Sequence, residues 1–166
     1  GTIIDSQWVL TAAHCLDEDV RSVRAYLGII GADPPLASEF HYSPLYTGIG
    51  PSSLDVGVVK FPEPLGRTPI PLLTSREATY DEQGVIAGFG ENVAQNFGVL
   101  RAGYVTVTQV GSVYLETAYT LTGSNICAGD SGGPLLLSQG GGWSVAGIIS
   151  SATAGCLSGT SAYAKV

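Results

Sequence analysis

Short runs of apolar residues, separated by turn-forming residues, recur along the chain and constrain its fold more than any other feature. The 23 glycines and 9 prolines among 166 residues weaken helix interiors, whereas apolar runs of this length suit strands joined by tight turns. The predicted strands are 8–13, 23–30, 56–61, 84–89, 100–110, 134–137, 143–150 and 161–166. The sequence therefore predicts an all-β protein, with only short helical turns at 17–22 and 75–78.

Composition and charge narrow the classes of function. The formal net charge is −7, so no basic surface is available to neutralise the phosphates of a nucleic acid, and a neutral or basic polypeptide is an easier partner. No apolar run approaches the roughly 20 residues that a membrane-spanning helix needs. The two histidines lie apart and outside any ligand-spaced cluster. We therefore expect no nucleic acid, no membrane span, no metal and no cofactor.

Two motifs supply a base and a nucleophile. The tetrad AAHC at 12–15 carries a histidine, and the run GDSGGP at 129–134 carries a serine among glycines. A serine hydroxyl is a poor nucleophile until a nearby imidazole takes its proton. Asp55 lies between the two motifs and could orient that imidazole. We therefore predict that His14, Asp55 and Ser131 form a catalytic set.

Each of these residues also has a simpler explanation. Asp55 could cap a turn, and the serine could stand in its glycine-rich turn by coincidence. The pattern glycine-x-serine-x-glycine is also typical of α/β-hydrolases. However, no histidine follows Ser131 in this chain, and Pro134 is unsuited to the helix that follows the serine in those enzymes. We reject the α/β-hydrolase interpretation, and the length of the motifs favours catalysis over coincidence.

The motifs and their order resemble those of the trypsin/chymotrypsin family of serine proteases. The resemblance extends to WVLT at 8–11, AGFG at 87–90 and AGIIS at 146–150, so it covers nearly the whole chain. It implies two packed antiparallel six-stranded β-barrels with the active site in the cleft between them. The proline-rich stretch 62–71 would separate a first barrel in 1–75, with His14 and Asp55, from a second barrel in 76–166, with Ser131.

The resemblance also suggests that residues 1–166 are an internal part of a trypsin-like peptidase domain. In the family, an activation site, a first strand and a cysteine precede the residues that match Gly1, and a helix follows those that match Val166. We therefore expect a first barrel without its opening strand, and a fragment that is inactive alone.

Further roles around the serine are implied by the same resemblance. The backbone amides of Gly129 and Ser131 would form an oxyanion hole. Asp130 would bind the N-terminal ammonium that cleavage of a zymogen releases, and this ion pair would shape the hole.

The odd number of cysteines needs an explanation in a secreted protein. The resemblance pairs Cys127 with Cys156 and places the partner of Cys15 upstream of Gly1. The alternative is three buried free thiols in a reducing compartment. We expect oxidising surroundings and a secreted or extracellular protein.

Substrate specificity is implied to depend on one pocket. Asn125, six residues before Ser131, would form its floor, and it lacks the carboxylate with which trypsins hold arginine or lysine. A buried cation without a counter-charge is strongly penalised. Ala152 and Ser161 stand where many relatives have glycine and would narrow the pocket. The predicted preference is for a small or medium uncharged residue.

The strand that follows AGII would bind the substrate backbone. Residues 150–152 would pair with the substrate as an added antiparallel strand. Within it, Ser150 would also support Asp55, and Ser151 replaces a bulky indole that often lines the pocket.

We therefore predict a monomeric serine endopeptidase that acts through an acyl-enzyme, with polypeptide substrates and protein protease inhibitors as partners. The alternative is a non-catalytic protease homologue that keeps the fold as a binding or regulatory module. Such homologues usually lack a member of the catalytic set, whereas this chain has all three.

Overall fold

The computed structural model describes residues 1–17, 19–28, 33–50 and 53–166, and their regular secondary structure is almost entirely β-strand. Its strands are β1 (Thr2–Ile3), β2 (Trp8–Thr11), β3 (Glu39–Tyr42), β4 (Gly57–Lys60), β5 (Gln83–Gly88), β6 (Arg101–Val110), β7 (Tyr114–Ala118), β8 (Pro134–Gln139), β9 (Gly142–Ala152) and β10 (Thr160–Lys165). A single 3₁₀ turn, Ala13–Cys15, is the only helical segment in these residues. The predicted all-β class is confirmed. No helix in the described part of the chain has the length and apolarity needed to cross a membrane.

Six strands close into a barrel in the order β10-β7-β6-β5-β8-β9, and all neighbours are antiparallel. Its interior is filled by an apolar cluster that includes Leu115, Leu137, Ile149 and Tyr163, which are all fully buried. The hairpin between β8 and β9 turns at Gly140 and Gly141, whose φ angles of 60° and 83° suit a two-residue turn that matches the strand twist.

The first four strands form a second, smaller sheet in the order β1-β2-β4-β3. All three strand pairs are antiparallel, and Val9 on β2 lies opposite Val59 on β4. Leu16, Phe61 and Leu65 complete the core beneath this sheet. Among the described residues the sheet is open, so only one of the two predicted barrels is seen closed.

A third apolar cluster joins the sheet to the barrel. Leu10 and Ala12, at the end of β2, pack with Leu136, Val145 and Ile148 of the barrel. The stretch that links the two halves also bonds to both of them: the amide at position 70 donates to a carbonyl of β1, and the amide at position 73 donates to one of β9. These contacts fix the orientation of the sheet against the barrel.

Three expectations for local structure were wrong in the described residues. No helix forms at 75–78, nor at residues 17 and 19–22. In the predicted strand 23–30, the described residues contribute only a bridge between Arg24 and Leu36, while residues 29 and 30 lie outside the described ones. A run of apolar residues forms a strand only where a partner strand is available to satisfy its backbone groups.

Three strands were not predicted, because none of them carries a clear apolar run. β1 has two residues, β3 exposes three of its four side chains, and β7 mixes polar and apolar residues in the sequence YLETA. Each of them forms because a neighbouring strand offers a backbone edge: β2 pairs with β1, β4 pairs with β3, and β6 and β10 pair with β7.

The core of the barrel predicts a matched pair of stability effects. Leu137→Ala should lower the free energy of unfolding by about 2–5 kcal/mol, because the side chain is fully buried and leaves a cavity. Leu121→Ala makes the same chemical change at a side chain that is 95 % exposed, and it should cost no more than about 0.5 kcal/mol. Urea unfolding measures both values, and equal losses would contradict the assigned core.

Candidate active site

His14 is carried by the 3₁₀ turn that follows β2. Ala12 and Ala13, just before it, are fully buried, so only small side chains fit where the turn packs against the barrel. The backbone amide of His14 donates to Asp55 Oδ1 at 2.9 Å, and its ring Nδ1 lies 2.7 Å from Asp55 Oδ2. Because a carboxylate can only accept, the proton of the imidazole lies on Nδ1. The ring is therefore held in one tautomer, with Nε2 left as a proton acceptor.

Asp55 is a fully buried carboxylate with three hydrogen-bond donors around it. Two come from His14, and the third is the hydroxyl of Ser150 on β9, 2.6 Å from Oδ2. Burial disfavours the charged form, but the hydrogen bonds from the His14 ring, Ser150 and the His14 amide outweigh it and lower the pKa of Asp55. The carboxylate is therefore ionised at neutral pH, as orientation of an imidazole requires.

The imidazole of His14 is a stronger base than a free histidine. The hydrogen bond to Asp55 raises the pKa of His14 most, the Cys15 side chain adds to the effect, and burial opposes it. A pKa raised on folding means that the imidazolium stabilises the fold. This contribution is complete below the unfolded pKa and is lost as the pH rises through the folded one. Over the same rise in pH, the fraction of His14 that is neutral and able to accept a proton increases.

Ser131 lies exposed in a tight turn within the glycine-rich motif 129–134. The next residue, Gly132, has φ +77°, and a Cβ there would overlap the hydroxyl of Thr11 and approach the amide of Ala12 within 3.1 Å. The turn with Ser131 and the turn with His14 thus lie against each other through their neighbours. No hydrogen bond joins the two side chains themselves within the described residues.

The backbone of this turn leaves two amides without partners in the described structure. The amides of Asp130, Gly132 and Gly133 donate to backbone carbonyls, whereas those of Gly129 and Ser131 do not bond to any described group. Gly129 has φ +86°, a conformation that strains other residues. The amides of Gly129 and Ser131 are therefore free to donate to an external acceptor beside the serine.

Asp130 organises the same turn from its inner side. Its Oδ1 accepts from the amide of Gly90, and its Oδ2 accepts from the amide of Cys127, both at 2.9 Å. A Cβ on Gly88 or Gly90 would overlap the Asp130 carboxylate, which explains the glycines of the AGFG stretch. The sequence showed these two glycines, one at the end of β5 and one two residues later, but not the side chain that they contact.

The Asp130 carboxylate lines a cavity of about 270 Å³ beside β5 and β6. Among the described residues that line it, Arg101 is the one with a cationic side chain, and its guanidinium donates to backbone carbonyls at positions 90 and 99. The cavity thus places a carboxylate where an additional cation could enter.

The residues predicted to line the specificity pocket are joined in the structure. Ser161, fully buried on β10, donates to Oδ1 of Asn125, and Nδ2 of Asn125 donates to the Ser158 carbonyl at 2.9 Å. Ser161 also lies opposite Ala152 on β9. Asn125, Ala152 and Ser161 therefore lie side by side at one end of the barrel.

The end of β9 offers a backbone edge to a ligand. β8 pairs with β9 only as far as Ile148, whereas β9 continues to Ala152 and remains paired with β10 on its other side. Beyond the pairing with β8, the carbonyl of Ile149 accepts from the amide of Gly132, and its amide donates to the carbonyl of Gly133. The stretch 150–152, including Ser151, can therefore accept an added strand.

The structure joins Cys127 to Cys156 in a disulfide, the pairing that the resemblance implied. This bond ties the stretch before Ser131 to the loop between β9 and β10. Cys15 is a free thiol next to His14, and its pairing with an upstream cysteine stays a prediction.

The chain is similar to a family of proteins and to two relatives that are named as peptidases. A model of the trypsin family matches residues 1–166. Over 160 residues, 92 % of this chain, the identity is 28 % with a protein of Corynebacterium glutamicum strain R named an uncharacterized peptidase, and 27 % with a protein named a peptidase in a second strain of that species. The match covers 53 % of each relative, so the chain spans about half the length of the curated relatives it matches.

The contact between the Asp55 carboxylate and the His14 imidazole predicts a change in the pKa of His14 that NMR can measure. Asp55→Asn removes the charge that stabilises the imidazolium, so the pKa of His14 should fall toward its ordinary value of 6.5. Asp33→Asn is the matched control, since the side chain of Asp33 is 96 % exposed. Titration of the histidine ring signals measures both, and an unchanged His14 pKa in Asp55→Asn would disprove the assigned contact.

Proposed function

Because the chain belongs to the trypsin family, we propose that it is the catalytic part of a serine endopeptidase. The observation that carries this proposal is the buried Asp55 carboxylate, which binds the ring of His14 from the sheet and the hydroxyl of Ser150 from the barrel. An ionised carboxylate behind an imidazole, with a serine in the adjoining turn, is the arrangement that acyl transfer needs.

The proposed reaction proceeds in two stages. Ser131 Oγ attacks the carbonyl carbon of the scissile peptide while His14 Nε2 takes the hydroxyl proton. His14 returns this proton to the leaving amine, the C–N bond breaks, and the acyl group remains as an ester on Ser131. Water then attacks the ester by the same proton transfers, releasing the acid and restoring the serine. Asp55 stabilises the imidazolium and stays ionised throughout.

Substrate binding completes this geometry. Catalytic hydrogen bonds are often loose without substrate and tighten in the complex, so the Ser131 hydroxyl reaches His14 when a peptide occupies the groove. The free amides of Gly129 and Ser131 receive the negative oxygen of the tetrahedral intermediate, a contribution of about 3–4 kcal/mol per donor in such sites. The substrate backbone pairs with the open edge at 150–152.

The residue before the scissile bond enters the pocket whose floor is Asn125. The Ser161 hydroxyl and the Ala152 methyl occupy space next to it, and no carboxylate from these three residues is available to pair with a cationic side chain. The enzyme therefore prefers small or medium uncharged residues at this position.

The remaining features suit an extracellular enzyme made as a precursor. The cavity at Asp130 receives a new N-terminal ammonium after cleavage of the precursor, and the open sheet of β1–β4 belongs to a first barrel within 1–75, beside the second barrel within 76–166. The disulfide fits an oxidising compartment. Protein inhibitors that present an extended strand to the open edge are natural partners.

The catalytic set predicts covalent labelling by a serine-directed phosphonate. In the full-length active protein, the label should be found on Ser131, and His14→Ala should abolish labelling because the hydroxyl then keeps its proton. His41→Ala removes a histidine that is exposed on β3 and should leave labelling intact. Mass spectrometry locates the adduct. A full-length protein that binds peptides but is never labelled would instead be a non-catalytic homologue.

A substitution that opens the proposed specificity pocket should change the substrate preference. Ser161→Gly removes the hydroxyl beside Asn125 and enlarges the pocket. The kcat/KM for substrates with a large apolar residue before the scissile bond should therefore rise relative to that for substrates with alanine there. The expected rise is on the order of tenfold, as for a few methylenes. A peptide-library cleavage profile measures the change. Ser138→Gly, an exposed position on β8, is the control. A profile dominated by arginine in the wild type would contradict the proposed preference.

A further inference from the structure

The loop 89–100, which joins β5 to β6, lies against the turn 128–131. It is longer than the roughly two to five residues that usually connect the strands of a hairpin. The amide of Gly98 donates to the carbonyl of Phe89 at 2.8 Å, so the two ends of the loop lie together. At its tip, Oδ1 of Asn92 accepts from two amides further along the loop. The loop is therefore held in one shape by its own hydrogen bonds.

One hydrogen bond from this loop sets the direction of a free amide in the turn. The amide of Glu91 donates to the carbonyl of Ala128 at 2.8 Å. That carbonyl and the N–H of Gly129 belong to the same peptide group, which is planar and trans, so they point in opposite directions. The bond from Glu91 therefore holds the Gly129 N–H pointing away from the loop, and this N–H has no partner among the described residues.

Two further contacts reach the next residues of the turn. The amide of Gly90 donates to Oδ1 of Asp130 at 2.9 Å. Ring carbons of Phe97 lie 3.4 and 3.5 Å from the position that a Cβ on Gly129 would take. Because Phe97 is 57 % exposed, its ring contributes less to the core than a buried side chain does. The loop thus contacts positions 128, 129 and 130 in succession.

Arg101 ties the two ends of the loop to each other. It is the first residue of β6 and lies opposite Gly88, the last residue of β5. Its Nη1 carries two N–H groups and donates to the carbonyl of Gly90 at 3.4 Å and to that of Val99 at 3.2 Å. Gly90 therefore accepts from Arg101 with its carbonyl while its amide donates to Asp130.

We propose that Arg101 and Phe97 are positioning residues for oxyanion binding, because they hold the loop 89–100 against the turn that presents the Gly129 amide. The inference rests on the proposed function, and it adds two residues outside the proposed catalytic set and specificity pocket. Donors stabilise an oxyanion best when they are fixed before the reaction, since they then need no reorganisation. Without the contacts of the loop, the peptide group between 128 and 129 is free to rotate and to turn its N–H away from the oxyanion.

The test compares Arg101→Met and Arg101→Lys with the wild type in the full-length active protein. Methionine keeps an unbranched stem but donates no hydrogen bond, so both ends of the loop are released. The kcat should fall at least about tenfold, since loss of one oxyanion donor costs about 10²–10³ in kcat. The KM should change by less than about threefold, because the interaction is made only in the transition state. Lysine restores a donor and should recover part of kcat.

Arg67→Met is the matched control for the loss of a guanidinium. Arg67 is exposed and also donates to two backbone carbonyls, at positions 66 and 27, in the other half of the molecule. The same chemical change there should leave both kcat and KM at the values of the wild type.

Phe97→Ala tests the second contact and leaves the guanidinium in place. It removes the ring that lies against Gly129, so kcat should fall in the same way but by a smaller factor, with KM unchanged. Leu100→Ala is the control, since Leu100 is an apolar residue of the same loop that is 60 % exposed. Should Arg101→Met fail to fold, Arg101→Lys and Phe97→Ala decide the question by the same kinetic measurement.

A second readout does not depend on catalysis. The backbone amide signal of Gly129 in ¹⁵N NMR should move in Arg101→Met but not in Arg67→Met, because the loop transmits the change to the turn. An unchanged kcat in folded Arg101→Met and Phe97→Ala, or a rise in KM alone, would overturn the proposal. Phosphonate labelling of the wild type keeps the two hypotheses apart. If the wild type is never labelled, the proposed function fails, while the Gly129 signal still decides whether Arg101 positions the turn.

Discussion

The site depends on one buried charge. The Asp55 carboxylate has no exposure to solvent, and a charge in that position is costly unless hydrogen bonds replace the lost water. Two of its donors belong to His14 at the end of β2, and the third belongs to Ser150 on β9. Donors from both halves of the molecule therefore converge on one carboxylate. Separation of the sheet from the barrel would leave that charge unpaired, so the docking of the two halves and the orientation of the imidazole stabilise each other.

Close backbone approach is the second requirement, and it explains why glycine surrounds the serine. Gly132 lies against Thr11 where the two halves meet, and Gly88 and Gly90 lie against the Asp130 carboxylate. A Cβ at Gly132 would push apart the elements that carry His14 and Ser131, and one at Gly88 or Gly90 would displace the Asp130 carboxylate. Asp130 in turn binds the amides at both sides of its cavity, which fixes the turn whose amides at 129 and 131 remain free. The packing of the protein and the shape of the site thus have the same cause.

Some strands could be predicted from the sequence and others could not, and the difference has physical reasons. β4, β5, β6, β8, β9 and β10 were predictable because their apolar runs are long enough to show which segments are buried. β3 was not, because most of its side chains are exposed and its pairing with β4 depends on the backbone alone. The interpretation of 23–30 as a strand failed in its described part, where the pairing with residues 35–37 is limited to one bridge and two backbone hydrogen bonds. The open sheet at the start of the chain shows only part of the first barrel that the resemblance implied.

The candidate catalytic residues His14, Asp55 and Ser131 could be found from local motifs, because the chemistry proposed for them requires particular neighbours in the chain. These neighbours are the small residues before the histidine and the glycines around the serine. The amino-acid sequence could therefore indicate the all-β class, the family and the three reactive groups. It could not indicate that the amide of Gly90 donates to Asp130 or that Ser161 donates to Asn125. Those contacts join residues far apart in the chain, and they follow from strand register and from packing, neither of which is encoded in any short segment.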